Sequence, residues 1–211
     1  MHRRKNVATE QEKFWEGDFG SNYLKRNQGD ALVASKLALW AKILSKAPGV
    51  SSVRELGANI GLNLQAISSL IPQVSLQAVE INPDAFATLS QLPNVSAVCG
   101  SLYEPFPAAQ TDLCFTCGVL IHLNPDLLPV AYQRLYEGSN RYVLVVEYYN
   151  PTPAEVVYRG HEGKLFKRDF AGEIMASFPD LRLVDYGFMY RGDPVFRADD
   201  LTWFLMEKRA L

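Results

Sequence analysis

A glycine loop between two acidic residues is the part of this sequence best suited to bind a nucleoside. Glu55, Gly57 and Gly61 lie where an apolar stretch gives way to a helical pattern. Gly57 allows a sharp turn after a strand, and Gly61 allows a helix to begin close to a ligand or to the sheet. Glu80 follows at a spacing at which a carboxylate accepts the hydroxyl groups of a ribose. The spacing predicts a nucleoside site.

Three kinds of nucleotide ligand compete for this loop, and a tight turn with no ligand is the structural alternative. A phosphate-binding loop needs a lysine and a hydroxyl residue after its glycines, and the sequence lacks them there. A dinucleotide fingerprint needs two more glycines where the chain has Asn59 and Leu62, so a pyrophosphate could not approach closely. S-adenosylmethionine has no pyrophosphate, and its ammonium suits Glu55. The loop therefore favours S-adenosylmethionine as cofactor, with S-adenosylhomocysteine as its product.

Further candidate cofactor contacts follow the ends of neighbouring strands. An amide and a hydroxyl after the third strand could meet the adenine edge, and Gly118 after the fourth strand permits close backbone approach. Arg26 could reach the methionine carboxylate. The full predicted cofactor set is Tyr23, Arg26, Glu55, Gly57, Ala58, Asn59, Gly61, Asn63, Glu80, Ile81, Ser101, Leu102, Cys117, Gly118 and Val119.

An alternation of strands and helices must position these residues. Apolar periodicity predicts strands over 52–56, 75–81, 95–99, 112–117 and 142–147, and helices over 30–46, 62–70, 83–89 and 126–136. Alternation of this kind predicts an α/β fold with a doubly wound, mostly parallel, Rossmann-like sheet. After a helix over 168–178, strands over 181–190 and 200–208 predict an antiparallel C-terminal hairpin, which brings the sheet to seven strands.

Length and composition favour one soluble domain. The 211 residues suit a single α/β domain over 31–211, and the polar, aromatic-containing segment 1–30 is expected to be a lid. A net charge of −2 gives no general attraction for nucleic acid. No apolar run approaches the ~20 residues that span a bilayer, and the basic start has no apolar stretch after it. We expect a cytoplasmic protein without nucleic-acid or membrane partners; the oligomeric state is not readable.

The three cysteines are expected to be reduced thiols in or near buried strands. Cys114 and Cys117 have a spacing used by metal sites, but residues three apart on a strand point to opposite faces. We therefore predict no metal, although Asp169, Asp199 and Asp200 leave a metal requirement open.

Several longer motifs carry a family resemblance over nearly the whole chain. They are Phe14–Gly20, Glu55–Gly61, Gly118–Pro125, Glu147–Pro151, Tyr158–His161, Leu165–Phe170 and Asp200–Phe204. In these motifs the chain resembles the bacterial methyltransferases associated with pseudaminic acid biosynthesis, a branch of the class I S-adenosylmethionine-dependent enzymes. The resemblance implies methylation of a small molecule and leaves the acceptor open.

Methyl transfer to a hydroxyl needs a base as well as alignment in a dry pocket. His122 follows the fourth strand where the methyl group is expected, and its ordinary pKa of ~6.5 suits proton removal. Glu147 ends the fifth strand and could hold His122 in one tautomer or bind an acceptor hydroxyl. We predict both as catalytic; in the alternatives, His122 only orders its loop and Glu147 is a solvated strand end.

A local cationic cluster in an otherwise acidic protein predicts an anionic acceptor. An arginine fork binds a carboxylate or phosphate in bidentate fashion. The predicted acceptor is a small molecule such as a sugar or sugar nucleotide, with O-methylation favoured. The predicted substrate-binding residues are Tyr148, Arg159, His161, Lys167 and Arg168. In the alternative, the cluster, which also includes Lys164, is a solvated loop whose charges pair with Glu162 and Asp169.

Two other functions remain open. One is a module that binds the cofactor without catalysis. The other is a nucleic-acid methyltransferase, which the negative net charge disfavours. The segment Cys117–Leu120 also lacks the Asn/Asp-Pro-Pro-Tyr type of tetrapeptide after the fourth strand.

Overall fold

A computed structural model describes residues 8–24 and 30–209. Its helices are α1 (Glu10–Glu16), α2 (Asp18–Leu24), α3 (Asp30–Leu44), α4 (Leu62–Leu70), α5 (Pro83–Leu89), α6 (Leu128–Gly138) and α7 (Phe170–Ser177). Its strands are β1 (Ser52–Leu56), β2 (Ser75–Glu80), β3 (Val95–Cys99), β4 (Thr111–Cys117), β5 (Ser139–Glu147), β6 (Ala154–Glu155), β7 (Phe166–Lys167), β8 (Leu181–Phe188) and β9 (Thr202–Lys208).

Seven of the strands form one sheet in the order β3-β2-β1-β4-β5-β9-β8. The first five pair in parallel, whereas β9 runs antiparallel between β5 and β8. The prediction of a mostly parallel seven-stranded sheet with an antiparallel hairpin is therefore confirmed. Because the chain order reverses between β1 and β4, a crevice opens beyond the carboxyl ends of these strands.

Two apolar clusters anchor the helices to the sheet. One contains the fully buried Trp40 of α3, which meets Phe115 of β4 edge-on with ring centroids 4.6 Å apart. The other includes Leu135 of α6 and Ile174 of α7, both without exposed surface. Burial of a large apolar side chain stabilises the folded state by ~1.5–3 kcal/mol, so both clusters hold their helices firmly against the sheet.

The structure differs from the sequence-based boundaries in a few places. β5 begins at Ser139 rather than at residue 142, because the residues that follow the end of α6 pair at once with β4. A short two-stranded sheet, β6 with β7, was not predicted, since two-residue strands have no periodicity to detect. The predicted lid segment contains α1, whose Thr9–Glu12 capping box satisfies its first turn, and α2.

The cysteine prediction is correct for Cys114, which is buried, but wrong for Cys99, which is exposed on β3 at the edge of the sheet. Within residues 8–24 and 30–209, no group of three potential metal ligands comes together. Every helix of that same part of the chain falls short of the length and apolar character that crossing a membrane requires.

Candidate functional site

A single pocket at the carboxyl ends of β1, β2 and β4 brings together most of the predicted cofactor residues. Helices α1, α2 and α3 close its other side. The predicted residues that line it are Tyr23, Glu55, Gly57, Ala58, Asn59, Asn63, Glu80, Ile81, Ser101, Leu102, Cys117, Gly118 and Val119. Arg26, predicted to bind the methionine carboxylate, lies outside the described residues.

The loop after β1 packs tightly against the loop after β4. Gly57 has a φ of +78°, and a Cβ there would lie 2.7 Å from a methyl carbon of Val119. The amides of Gly57 and Ala58 both donate to the carbonyl of Val79 on β2, at 2.8 and 3.0 Å. A side chain at position 57 would therefore push the two loops apart.

Gly61 does not line the pocket, so its predicted role at the ligand is corrected. It has a φ of +81°, and a Cβ would meet the side chains of Leu92 at 2.5 Å and Leu89 at 2.8 Å. Glycine is needed here because the start of α4 packs against the end of α5 and the turn after it, and not because a ligand approaches.

Glu80 ends β2 with its carboxylate held by backbone amides. One oxygen accepts from the amide of Asn59 at 2.6 Å and the other from the amide of Asn82 at 2.8 Å. Burial raises the pKa of Glu80, and the amide hydrogen bonds oppose that shift. A carboxylate oxygen has more than one lone pair, so Glu80 can still accept from a ligand hydroxyl in the pocket.

Glu55 ends β1 and is almost completely buried, at 1% exposure. One of its oxygens accepts from the Asn63 amide nitrogen at 2.6 Å, and the Asn63 oxygen accepts from the Trp40 indole at 3.2 Å. The other oxygen of Glu55 has no hydrogen-bond partner in the described structure. Burial raises the pKa of Glu55 to about 8, so the empty pocket favours the neutral acid.

Lys36 of α3 also lines the pocket, and the sequence analysis did not identify it. Its ammonium lies 3.5 Å from the sulfur of Cys117. A single lysine on an amphipathic helix usually faces solvent, so the sequence does not indicate that Lys36 lies in a pocket.

The N-terminal helix α1 covers the side of the pocket that Ser101 lines. The carboxylate of Glu12 accepts from the Ser101 hydroxyl at 2.5 Å, while its second oxygen accepts from the Thr9 amide at 2.8 Å. Gln11 donates to the carbonyl of Gly163 at 3.0 Å, which joins α1 to the loop between β6 and β7. These contacts place α1 over the pocket, and a lid role for segment 1–30 stays a prediction.

His122 lines the pocket and is 7% exposed. Its Nδ1 lies 2.6 Å from the carbonyl oxygen of Lys164. Because a carbonyl only accepts, Nδ1 carries the proton and Nε2 is left as an acceptor. Burial lowers the pKa of His122 to about 4, so the ring is neutral at physiological pH.

Glu147 does not hold His122, which corrects the predicted contact. Its carboxylate accepts from the amides of Val119 and Leu120 at 3.0 to 3.2 Å, and it is 2% exposed, so it is no solvated strand end. It does not line the pocket. Burial raises the pKa of Glu147 to about 7, against the lowering effect of these amides. Its position is that of a group that shapes the loop carrying His122.

The cationic cluster lies mostly outside the pocket. Of the predicted substrate residues, Tyr148 lines the pocket, whereas Arg159, His161, Lys167 and Arg168 do not. Arg168 pairs with Glu173 at 2.8 Å, and Lys164 pairs with Glu10 at 3.7 Å. The expected pairing with Asp169 is wrong, because its carboxylate caps α7 through the amide of Gly172.

Aromatic rings form the wall next to His122. The rings of Trp15 and Tyr158 lie 4.7 and 4.8 Å from the imidazole, between centroids. Trp15 also contacts Tyr23 edge-on at 5.4 Å. With Tyr148, these side chains give the space beside the glycine loops an aromatic lining.

Comparisons with known proteins identify the fold. No family model matches the chain, and no curated protein matches it, so the resemblance to the pseudaminic acid-associated family stays a prediction. The structure is similar to 1,6-didemethyltoxoflavin-N1-methyltransferase of Burkholderia thailandensis, solved with 1,6-didemethyltoxoflavin and S-adenosylhomocysteine, at TM-score 0.70 and 16% identity over 98% of this chain and 93% of that one.

Two further solved structures share the same architecture. Magnesium protoporphyrin IX methyltransferase of Synechocystis, with S-adenosylmethionine bound, has a TM-score of 0.65 and 11% identity over 97% of this chain and 100% of that one. The plantazolicin methyltransferase with a pentazolic analogue and S-adenosylhomocysteine has a TM-score of 0.64 and 14% identity over 94% of this chain and 95% of that one. The chain therefore has the class I methyltransferase fold.

Proposed function

We propose that the protein is an S-adenosylmethionine-dependent methyltransferase that acts on a small molecule. One observation carries the proposal: two buried carboxyl groups, Glu55 and Glu80, line one pocket at the ends of adjacent strands, and one oxygen of Glu55 has no hydrogen-bond partner among residues 8–24 and 30–209. A buried, unpartnered carboxylate oxygen costs free energy unless a ligand supplies a donor. The neighbours whose names include S-adenosylmethionine or S-adenosylhomocysteine support the same cofactor.

The residues that line the pocket fit S-adenosylmethionine, which has no pyrophosphate and needs no site for one. The ammonium of a methionine moiety would satisfy Glu55, and the hydroxyls of a ribose would satisfy Glu80. A Cβ at Gly100 or Gly118 would meet no atom within 4 Å, so both backbones border open space. Bound there, the cofactor supplies an electrophilic methyl group, and the chain supplies alignment and exclusion of water.

For an acceptor hydroxyl, His122 is the proposed base. The Lys164 carbonyl holds the Nδ1 proton, so Nε2 can receive the proton of the acceptor. A pKa of about 4 keeps Nε2 unprotonated but makes the ring a weak base, which suits an acceptor that becomes acidic as its bond to the methyl carbon forms. Glu147 is proposed to act through the Val119–Leu120 backbone as a positioning residue.

The acceptor proposed is a small molecule that carries a carboxylate or phosphate and is methylated on oxygen, such as a sugar or sugar nucleotide. Support comes from Arg159 and Lys167, which make no ion pair with any residue in 8–24 or 30–209 and lie outside the pocket. The anionic group would therefore lie at the mouth, while the reacting atom lies among the aromatic rings near His122. An aromatic wall suits a flat acceptor by stacking, and the names of two neighbours include 1,6-didemethyltoxoflavin and magnesium protoporphyrin IX.

The test is a melting curve with and without S-adenosylhomocysteine. At about 100 times Kd, a ligand that binds only the folded state adds ~2.7 kcal/mol, which raises Tm by several degrees. Glu80→Ala should remove most of this shift, whereas Glu104→Ala, an exposed carboxylate after β3, should keep it. An unchanged curve for the unaltered protein at saturating ligand would refute the proposed cofactor.

A further inference from the structure

Lys36 and Glu55 place an amino group and a carboxyl group in the wall of the pocket, and the carboxyl group becomes a negative charge when it loses its proton. Lys36 comes from α3 and Glu55 from the end of β1, so helix and sheet each contribute one of them. Neither is fully satisfied in the described part of the chain. The ammonium has one contact, 3.5 Å from the Cys117 sulfur, and a thiol is a weak acceptor.

No ion pair joins the two charges across the described residues, since pairs within 4.0 Å do not include either of them. An ammonium carries three donor hydrogens and no acceptor, so Lys36 has donors to spare. One oxygen of Glu55 accepts a hydrogen bond from Asn63, and the other has no hydrogen-bond partner in the part of the chain that the structure describes. Lys36 therefore has hydrogen-bond donors, and Glu55 an acceptor oxygen, that a ligand could use. Both side chains are largely buried and line the same pocket.

We propose that Lys36 and Glu55 together form a recognition site for a zwitterionic α-amino acid group, in which Lys36 binds the carboxylate and Glu55 the ammonium. The assignment rests on the proposed function and deepens it, because it identifies the residue that selects the methionine end of the cofactor. It also gives Lys36 the role that the sequence suggested for Arg26. A charge-assisted hydrogen bond in a buried site is stronger than one between neutral groups, so the pair confers selectivity as well as affinity.

Three ligands separate the contribution of each charge. S-adenosylhomocysteine has both charged groups, its decarboxylated derivative keeps only the ammonium, and methylthioadenosine has neither. We expect Lys36→Met to weaken binding of S-adenosylhomocysteine about 10- to 100-fold, the loss expected for one buried charge-assisted hydrogen bond. The variant should bind the decarboxylated derivative and methylthioadenosine as the unaltered protein does. Calorimetry gives the dissociation constants.

The matched control is Lys42→Met, which removes an exposed lysine from the same helix and should bind all three ligands normally. The proposal is overturned if Lys36→Met binds S-adenosylhomocysteine normally, or if it loses affinity for all three ligands equally, since Lys36 would then be structural. Retained binding of methylthioadenosine shows that the variant is folded. If none of the three ligands binds the unaltered protein, the proposed cofactor itself fails.

Discussion

The Nδ1 of His122 lies 2.6 Å from the carbonyl oxygen of Lys164. A residue that follows β4 is therefore oriented by the backbone of the loop between β6 and β7. The same loop is tied to α1, because Gln11 donates to the carbonyl of Gly163 and Lys164 pairs with Glu10. Closure of the pocket and the tautomer of His122 thus depend on one set of contacts.

His122→Ala should abolish most methyl transfer and leave cofactor affinity unchanged. Loss of a general base costs ~100- to 10,000-fold in rate, whereas the residues proposed to hold the cofactor are Glu55 and Glu80. The measurement is transfer of label from S-adenosylmethionine into a metabolite extract, with product identified by mass spectrometry. Glu104→Ala is the control, because Glu104 is exposed and outside the pocket. Full activity of His122→Ala would exclude the base and favour an acceptor that is already an oxyanion.

Cofactor affinity should rise as the pH rises from 6 to 8. The pKa of Glu55 is raised to about 8, so below that pH the carboxyl must release a proton before it can bind an ammonium. Three other titratable groups face Glu55: Lys36, Glu80 and Cys117. All three remain in the variant Glu55→Gln, so the variant isolates the proton that Glu55 releases. Calorimetry at pH 6.5 in two buffers of different ionisation enthalpy should show proton release for the unaltered protein and much less for Glu55→Gln. Equal proton release in both would assign it to another group.

The same raised pKa has a consequence for stability. A carboxyl whose folded-state pKa lies above its unfolded value stabilises the fold at low pH, and that contribution is lost as pH rises through the folded pKa. Between about pH 5 and pH 8 the ligand-free protein should therefore lose roughly 1 kcal/mol per pH unit through Glu55, and the loss should level off above pH 8. Denaturant unfolding at pH 7 and pH 8 should show this loss, and Glu55→Gln should reduce it. A loss of the same size in the variant would point to a different titrating group.

Gly57→Ala should destabilise the protein and weaken cofactor binding. The new Cβ would lie 2.7 Å from a methyl carbon of Val119, and the φ of +78° adds strain of ~1–2 kcal/mol for a residue with a side chain. Combining Gly57→Ala with Val119→Ala should restore part of the lost stability, because the second change removes the methyl carbons that clash with the new Cβ. The backbone strain at residue 57 remains. Denaturant unfolding of the two single variants and the double variant measures this coupling. Strict additivity would show that the loops relax apart instead.

Much of the fold follows from local patterns. The strands around Val53 and Val143 alternate with helices at βαβ spacing, and the helix predicted over 83–89 has those bounds in the structure, where the Asn82 side chain caps its start. Boundaries such as Ser139 were missed, since pairing with β4 extends a strand beyond its apolar residues.

The sequence by itself determined the cofactor loop. The positive φ of Gly57 is a matter of local backbone geometry, which a glycine directly after a strand indicates. The positions of Glu55 and Glu80 near the ends of their strands depend on strand length, which apolar periodicity and spacing reveal. Only the tertiary structure decided which groups complete the site. Lys36 reaches the pocket through the packing of α3, and His122 is held by a backbone carbonyl. Every residue has a carbonyl, and contacts between distant segments arise only when the chain is packed, so neither leaves a pattern in the sequence.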